Sequence, residues 1–415
     1  MPISDSDKTI IRDLAKRVAE IGHDPLQAKN RDMWKRHNSL QRTKPMVLVF
    51  PEGSWCELMP WEGNLKCQDP ALHGWEWYLR HCIYRWEHLR DDNVIEPRIR
   101  IGPVLKFSGW GVEIKHKPST TDRGSWAFDP VIKDSADIKK LRKPTIEFDD
   151  EATRRNLELA REVFGDAIPV VYAKRIGFDC TLLTTLGEFI GLDNLLLYLA
   201  DRPEFIHELM SFMTEATLEM METAEREGWV EPNNEDDYVG SGGVAYTDEL
   251  PTTGSEANGY TLMDCWGFAC AQELSLVSPQ MHYEFVLSYQ IKMLEKFGLN
   301  CYACCEPVSD RFEYMFKIPR LRRLSISPWA DIHKSAEALG DRCIFSWKPN
   351  PADLATETFN PELIRSKITE CVDAARGCVL EIIMKDTHTV RGEPWRMSEW
   401  VRIAKEIADE GYPGS

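Results

Sequence analysis

Apolar residues recur at helical spacing over residues 6–22, where Ile10, Ile11, Leu14, Val18 and Ile21 share one face. This predicts an amphipathic helix within an N-terminal helical extension, residues 1–45. A different pattern begins at Met46. The run Met46-Val47-Leu48-Val49-Phe50 is short, continuous and apolar, and Pro51-Glu52-Gly53 stops it. That is the signature of a buried strand leading into a loop. Residues 54–130 are irregular and rich in tryptophan: Trp55, Trp61, Trp75, Trp77, Trp86, Trp110 and Trp126 all fall there. Large aromatics fill cores, and the same residues could form a wall for a flat ligand.

Regular alternation starts near residue 168. A strand is predicted over 168–173 and helices over 181–200 and 203–227, the second opened by Pro203. Tyr238 to Gly243 reads as a strand running into a glycine-rich loop. Ser278-Pro279 opens a long helix to Phe297, which Gly298 closes, because serine caps, proline fits the first turn and glycine tolerates the exit. Four strand–helix units follow, with strands at 299–304, 321–327, 343–347 and 378–384 and helices at 309–317, 331–339, 361–375 and 394–409. Nearly continuous apolar strands alternating with helices predict a parallel sheet covered by helices. The expected fold is α/β, a single (β/α)8 TIM-type barrel over residues 46–415 with the tryptophan-rich stretch as an insertion. A doubly wound open sheet is the alternative, but no G-x-G-x-x-G follows a strand.

The chain has 415 residues, 43% of them hydrophobic, enough for such a core. Its formal net charge of -17 and its short basic runs carry no nucleic-acid footprint. No stretch reaches the roughly 20 apolar residues that span a bilayer. The first 25 residues are polar, without the apolar segment of a secretory signal. A cytoplasmic location with reduced thiols is therefore expected for the 12 cysteines.

In a parallel barrel the reactive groups stand at the C-terminal ends of the strands. Three strand ends carry them. Cys301-Tyr302-Ala303-Cys304-Cys305-Glu306 places thiols beside a carboxylate, and unbroken strand alternation would put Tyr302, a catalytic candidate, on one face with Cys304 and Glu306. Thiolate and carboxylate suit zinc, although buried cysteine is commonly only a small core residue. Lys385-Asp386-Thr387-His388 offers Asp386 and His388 for acid–base work, or His388 as a metal ligand. At the third, Asp331 fits a helix N-cap better than a catalytic acid. Lys348 could hold an anion at the end of its strand, and Tyr246, Trp266 and Gln272 could line a pocket mouth.

The blocks Ser278-Pro279 with its helix to Gly298, Cys304-Cys305-Glu306-Pro307, Ser327-Pro328-Trp329-Ala330-Asp331, Lys348-Pro349-Asn350-Pro351 and Lys385-Asp386-Thr387-His388-Thr389 resemble the uroporphyrinogen decarboxylase superfamily. The likeness is strongest to its corrinoid-dependent methyltransferases and O-demethylases and runs from about Asp91 to the C-terminus. It implies a TIM-type barrel and zinc-assisted transfer of a methyl group from a small, methoxylated aromatic substrate to a corrinoid on a separate carrier protein. The chain departs from that branch by carrying Tyr302 where a His-x-Cys pair begins and no cysteine at the end of the last strand. The implied zinc set is then Cys304, Cys305, Glu306 and His388. Metal-independent decarboxylation, with Arg175 or Lys348 on a substrate acid, and a non-catalytic binding barrel are the alternatives. No membrane partner is expected, and homo-oligomerisation is left open.

Overall fold

The computed structural model describes residues 3–121, 127–252, 254, 257 and 259–410; Trp126 lies outside them. The described residues include twelve strands: β1 (Met46–Val49), β2 (Ile99–Ile101), β3 (Leu105–Phe107), β4 (Lys115–Lys117), β5 (Ala127–Asp129), β6 (Ile146–Phe148), β7 (Val170–Tyr172), β8 (Trp266–Ala269), β9 (Leu299–Tyr302), β10 (Leu321–Ile326), β11 (Ile344–Trp347) and β12 (Val379–Met384). Six form one parallel sheet in the order β1-β12-β11-β10-β9-β8. β2 and β7 form a separate parallel pair, while β3–β6 and β4–β5 are antiparallel ribbons within or beside the irregular segment.

The expected α/β architecture with a parallel central sheet is present; among the described residues no continuous ladder closes it into an eight-stranded barrel. Side chains explain both open edges. On β1 the outward N–H groups of Val47 and Val49 donate to Asp92 (2.9 Å) and Asp91 (3.1 Å). On β8 the Trp266 N–H donates to Asn233 Oδ1 at 2.7 Å, and the Asn233 amide donates back to the Trp266 carbonyl at 3.1 Å. A buried N–H needs a partner, and these carboxylates and this amide stand where neighbouring strands would.

The N-terminal extension consists of two helices, Asp5–Gly22 and Pro25–Asn38, begun by Ser4 and by Asp24 with Pro25. The second is tied into the sheet interior. His37 Nε2 lies 3.1 Å from Glu381 on β12, and Asn38 Oδ1 accepts from Arg323 on β10 at 2.7 Å. Arg323 Nε donates to Glu381 at 2.9 Å, and all four residues are almost fully buried. The outer face of the sheet packs on helices such as Trp395–Glu410, whose Trp400, Val401 and Ala404 join the main core.

Two helices differ from expectation. The stretch predicted as one helix over 181–200 is two, Leu183–Ile190 and Leu192–Asp201, bent by 93° at Gly191, which holds φ +81°. Only glycine adopts that conformation without strain. By length and composition this bent pair could cross a membrane, whereas among the described residues no single helix is long and apolar enough. The helix expected from Pro279 to Phe297 passes through a π-helical turn at Tyr283–Leu287 and ends at Leu294; Gly298 lies beyond it at a close approach, where a Cβ would sit 2.1 Å from the Met263 carbonyl oxygen.

Candidate functional site

β1, β9, β11 and β12 bring their C-terminal ends to one mouth, together with the glycine-rich loop at 238–244. Tyr238 and Val244 form an isolated bridge across that loop, not the expected strand. Phe50 N–H donates to the Met384 carbonyl at 2.7 Å and Ser54 N–H to the Thr387 carbonyl at 2.9 Å, so the loops after β1 and β12 run side by side.

After β9 the chain does not continue as a strand. Ala303 takes φ +68°, and its N–H still donates to the Ala269 carbonyl of β8 at 3.1 Å. This left-handed residue breaks the alternation, which corrects the expected sharing of one face by Tyr302, Cys304 and Glu306. Cys304 and Cys305 both turn toward the mouth. Their sulfurs stand 3.6 Å apart. Ser241 Oγ donates to Cys304 Sγ at 3.2 Å, and Lys385 Nζ lies 3.8 Å from the same sulfur and 3.2 Å from Ser241 Oγ. Asp386, itself at φ +56°, lies 3.6 Å from Cys305 Sγ and 3.7 Å from Lys385 Nζ. A thiol hydrogen bond from Cys305 holds the Cys304 thiol below the ordinary range, with the Lys385 charge and Ser241 acting the same way against partial burial. The Cys305 thiol is pushed up, chiefly because its proton is held in the hydrogen bond to the Cys304 sulfur, with burial and the negative charge of Cys304 acting the same way.

Glu306 has a different task from the ligand role expected. It is fully buried, and its two oxygens accept from Ala271 N–H (2.7 Å) and Cys304 N–H (2.8 Å). It clamps the thiol loop to the end of β8. His388 is exposed, and a Cβ on Gly53 would meet its Nδ1 at 2.7 Å. The zinc set Cys304, Cys305, Glu306 and His388 is therefore not assembled. Among the described residues no group of three or more His, Cys, Asp or Glu side chains is placed to hold a metal ion.

Tyr302, expected as catalytic, points to the helices. Its hydroxyl donates to Gln290 at 2.7 Å and lies 3.3 Å from His282 Nε2, all fully buried. Tyr302→Phe should therefore leave turnover within a few-fold while lowering stability by about 1 kcal/mol, the usual net worth of such a bond, as urea unfolding would read. Burial, aided by the charge of Arg311, holds the His282 imidazole down to about 3. The unfolded chain takes up that proton near pH 6.5, so stability falls as pH drops below that value. From pH 7 to pH 5 this histidine alone should remove about 2 kcal/mol. His282→Gln should flatten that stretch of the stability profile, and an unchanged profile would contradict the assignment.

Of the four expected substrate contacts, Lys348 lies closest to the mouth. It is buried at the end of β11, its Nζ 2.5 Å from Ser346 Oγ, and burial pushes its ammonium down to about 7. Trp266 is buried in the interior on β8, its indole donating to the Ala245 carbonyl at 3.1 Å under the Arg323 guanidinium. Tyr246 is bonded to Glu96 and borders a different cavity with Arg31 and Lys35. Gln272 is exposed on the turn after β8. Sequence reasoning passed over Ser241 and Lys385 as site residues. Both lie in segments already singled out, but only the folded loops bring them to one sulfur.

No protein-family model and no curated protein sequence matches the chain. Among solved structures, a methyltransferase from Methanosarcina mazei is similar over 92% of this chain and 98% of its own, with 12% sequence identity and a TM-score of 0.47. The chemistry of the site is therefore read from its own residues.

Proposed function

We propose that the protein is a methyltransferase in which Cys304 takes the methyl group from a small donor and hands it to a second acceptor. One observation carries this reading: a thiol held ready to ionise at the mouth of a parallel sheet, under Cys305, Ser241 and Lys385. A thiolate is a soft nucleophile suited to a methyl carbon. In the first step the Cys304 sulfur forms a bond to the methyl carbon as the carbon–oxygen bond of a methyl ether breaks, and the electron pair leaves on oxygen. A phenol ionises near pH 10, so that oxygen needs a proton, which the Lys385 ammonium can supply. In the second step a nucleophilic acceptor takes the methyl group and the Cys304 thiolate departs. Its depressed proton affinity makes it a better leaving group.

Methoxylated aromatics as donors and a corrinoid on a separate carrier as acceptor belong to this proposal through the sequence resemblance. No step depends on zinc, whose expected ligands do not fit together. The decarboxylase alternative has less support. Arg175 is bonded to Asp237 and the Pro232 carbonyl, and Lys348 is buried on Ser346, so neither stands free for a substrate carboxylate.

The test is conversion of 2-methoxyphenol to catechol by the full-length protein with a reduced corrinoid as acceptor. Lys385→Met should cut the rate by about 10²-fold or more, the usual loss with a general acid. Equal rates in the variant would contradict the role of Lys385, and no demethylation of any methyl ether would overturn the reading.

A further inference from the structure

Beside the thiol mouth lies a cavity of about 320 Å³ that the mechanism above does not use. It is large enough for a small ring compound. Phe50, Trp55, Tyr78, His81 and Tyr238 supply its rings. Trp55 stacks on His81 with centroids 3.9 Å apart at 18°, and Tyr238 meets Phe50 edge-on at 4.9 Å. Two connections join this cavity to Cys304. Its wall continues from Phe50 and Glu52 to Lys385, which feels the Glu52 charge. Tyr238 begins the same loop that delivers Ser241 to the Cys304 sulfur.

The charges around this cavity decide what it can hold. Arg85 is spent on Asp91 at 2.5 Å and on the Val49 carbonyl at 2.6 Å. Asp236 is spent on Arg98 (2.7 Å) and Arg100 (2.5 Å). Glu52 at the rim adds negative charge, and no unengaged cation lines the wall among the described residues. An anionic ligand would be desolvated without compensation. One polar atom is left over: His81 Nε2 is buried without a hydrogen-bond partner. Burial, with the Arg85 charge, holds that imidazole down to about 4, so it is neutral at physiological pH. The imidazole therefore adds no positive charge to the wall that could compensate an anion.

We propose that this cavity binds an uncharged planar aromatic ring, seated against the Trp55–His81 wall, and that it rejects rings carrying a carboxylate. Its use as the seat of the methyl donor rests on the methyl-transfer reading above; the ring site itself does not.

Calorimetric titration of the full chain with 2-naphthol and 2-naphthoate separates the two. The naphthol should bind at one site, about tenfold or more tighter than the naphthoate. Trp55→Ala should weaken naphthol binding by about tenfold, and Trp55→Phe, which keeps a ring, should retain most of it. Tyr78 is 45% exposed, so Tyr78→Trp is tolerated by the fold and should block the cavity if Trp55→Ala fails to fold. Equal affinity for the two probes, no binding of either, or naphthol binding untouched by Tyr78→Trp would overturn the proposal. Cys304→Ser should leave naphthol affinity within about twofold. Naphthol binding as expected without any methyl transfer would sink the methyl-transfer reading and leave the ring site standing.

Discussion

Cys304→Ser is expected to abolish methyl transfer, lowering the rate by at least about 10³-fold, as loss of a nucleophile does elsewhere. The serine hydroxyl ionises far above neutral pH, so neither Lys385 nor Ser241 can make it a comparable nucleophile. Cys305→Ala tests the cause. It removes the thiol hydrogen bond that chiefly lowers the Cys304 proton affinity. The reactive form is the thiolate, present above the Cys304 midpoint, so the acid limb of the rate profile should move to higher pH in Cys305→Ala while the plateau survives. Alkylation of Cys304 by iodoacetamide should follow the same profile. In the unmodified protein its midpoint should lie well below the roughly 8.5 of an ordinary cysteine. A midpoint at the ordinary value would remove the basis for the nucleophile.

Glu381→Ala is expected to cost about 3–5 kcal/mol of stability, because it leaves the Arg323 guanidinium buried without its carboxylate. Arg323 is 1% exposed and Glu381 is fully buried, so water cannot replace the lost partner. Burial alone would raise the Glu381 carboxyl, but Arg323 and His37 outweigh it and hold it down to about 2. A depressed carboxyl stabilises the fold above its unfolded value near 4.3 and loses that contribution as pH falls toward 2. The loss amounts to about 3 kcal/mol. Glu381→Gln should therefore start less stable at pH 7 and lose less than the unmodified protein on acidification. Equal losses in urea unfolding series at pH 5 and pH 2.5 would contradict the coupling. The network also explains why the N-terminal extension belongs to the core, since His37 and Asn38 complete it from outside the sheet.

Much of the fold is legible in the sequence wherever apolar runs are long. β10 and β12 and the helices at 361–374 and 395–410 fall within a residue or two of expectation. Asp331 caps its helix as expected, accepting from Lys334 N–H at 2.9 Å. Short elements escaped: β8 has four residues with Gly267 among them, and β2 has three. At the edges of the six-stranded sheet Asp91, Asp92 and Asn233 satisfy backbone N–H groups through side chains, and no periodicity reports that.

At the site, the strand-end rule led to Cys304, Cys305 and Asp386, which the fold does bring together. It misled for Glu306, because alternation was extended through Ala303; Tyr302 lies before that residue and is turned to Gln290 and His282, and His388 is exposed past the end of β12. Ala303 and Asp386 both have positive φ. Such a conformation in a residue other than glycine is uncommon and has no compositional signal here. Lys385 and Ser241 reach Cys304 from segments 144 residues apart in sequence, a closeness only the folded chain creates.

The most direct test of the account is the mass of the intact protein after incubation with 2-methoxyphenol in the absence of any acceptor. The account predicts a single added methyl group, mapped to Cys304 by peptide fragmentation, absent in Cys304→Ser and removed when a reduced corrinoid is supplied. Demethylation with acceptor present, but with Cys304 never carrying the methyl group and Cys304→Ser fully active, would contradict it.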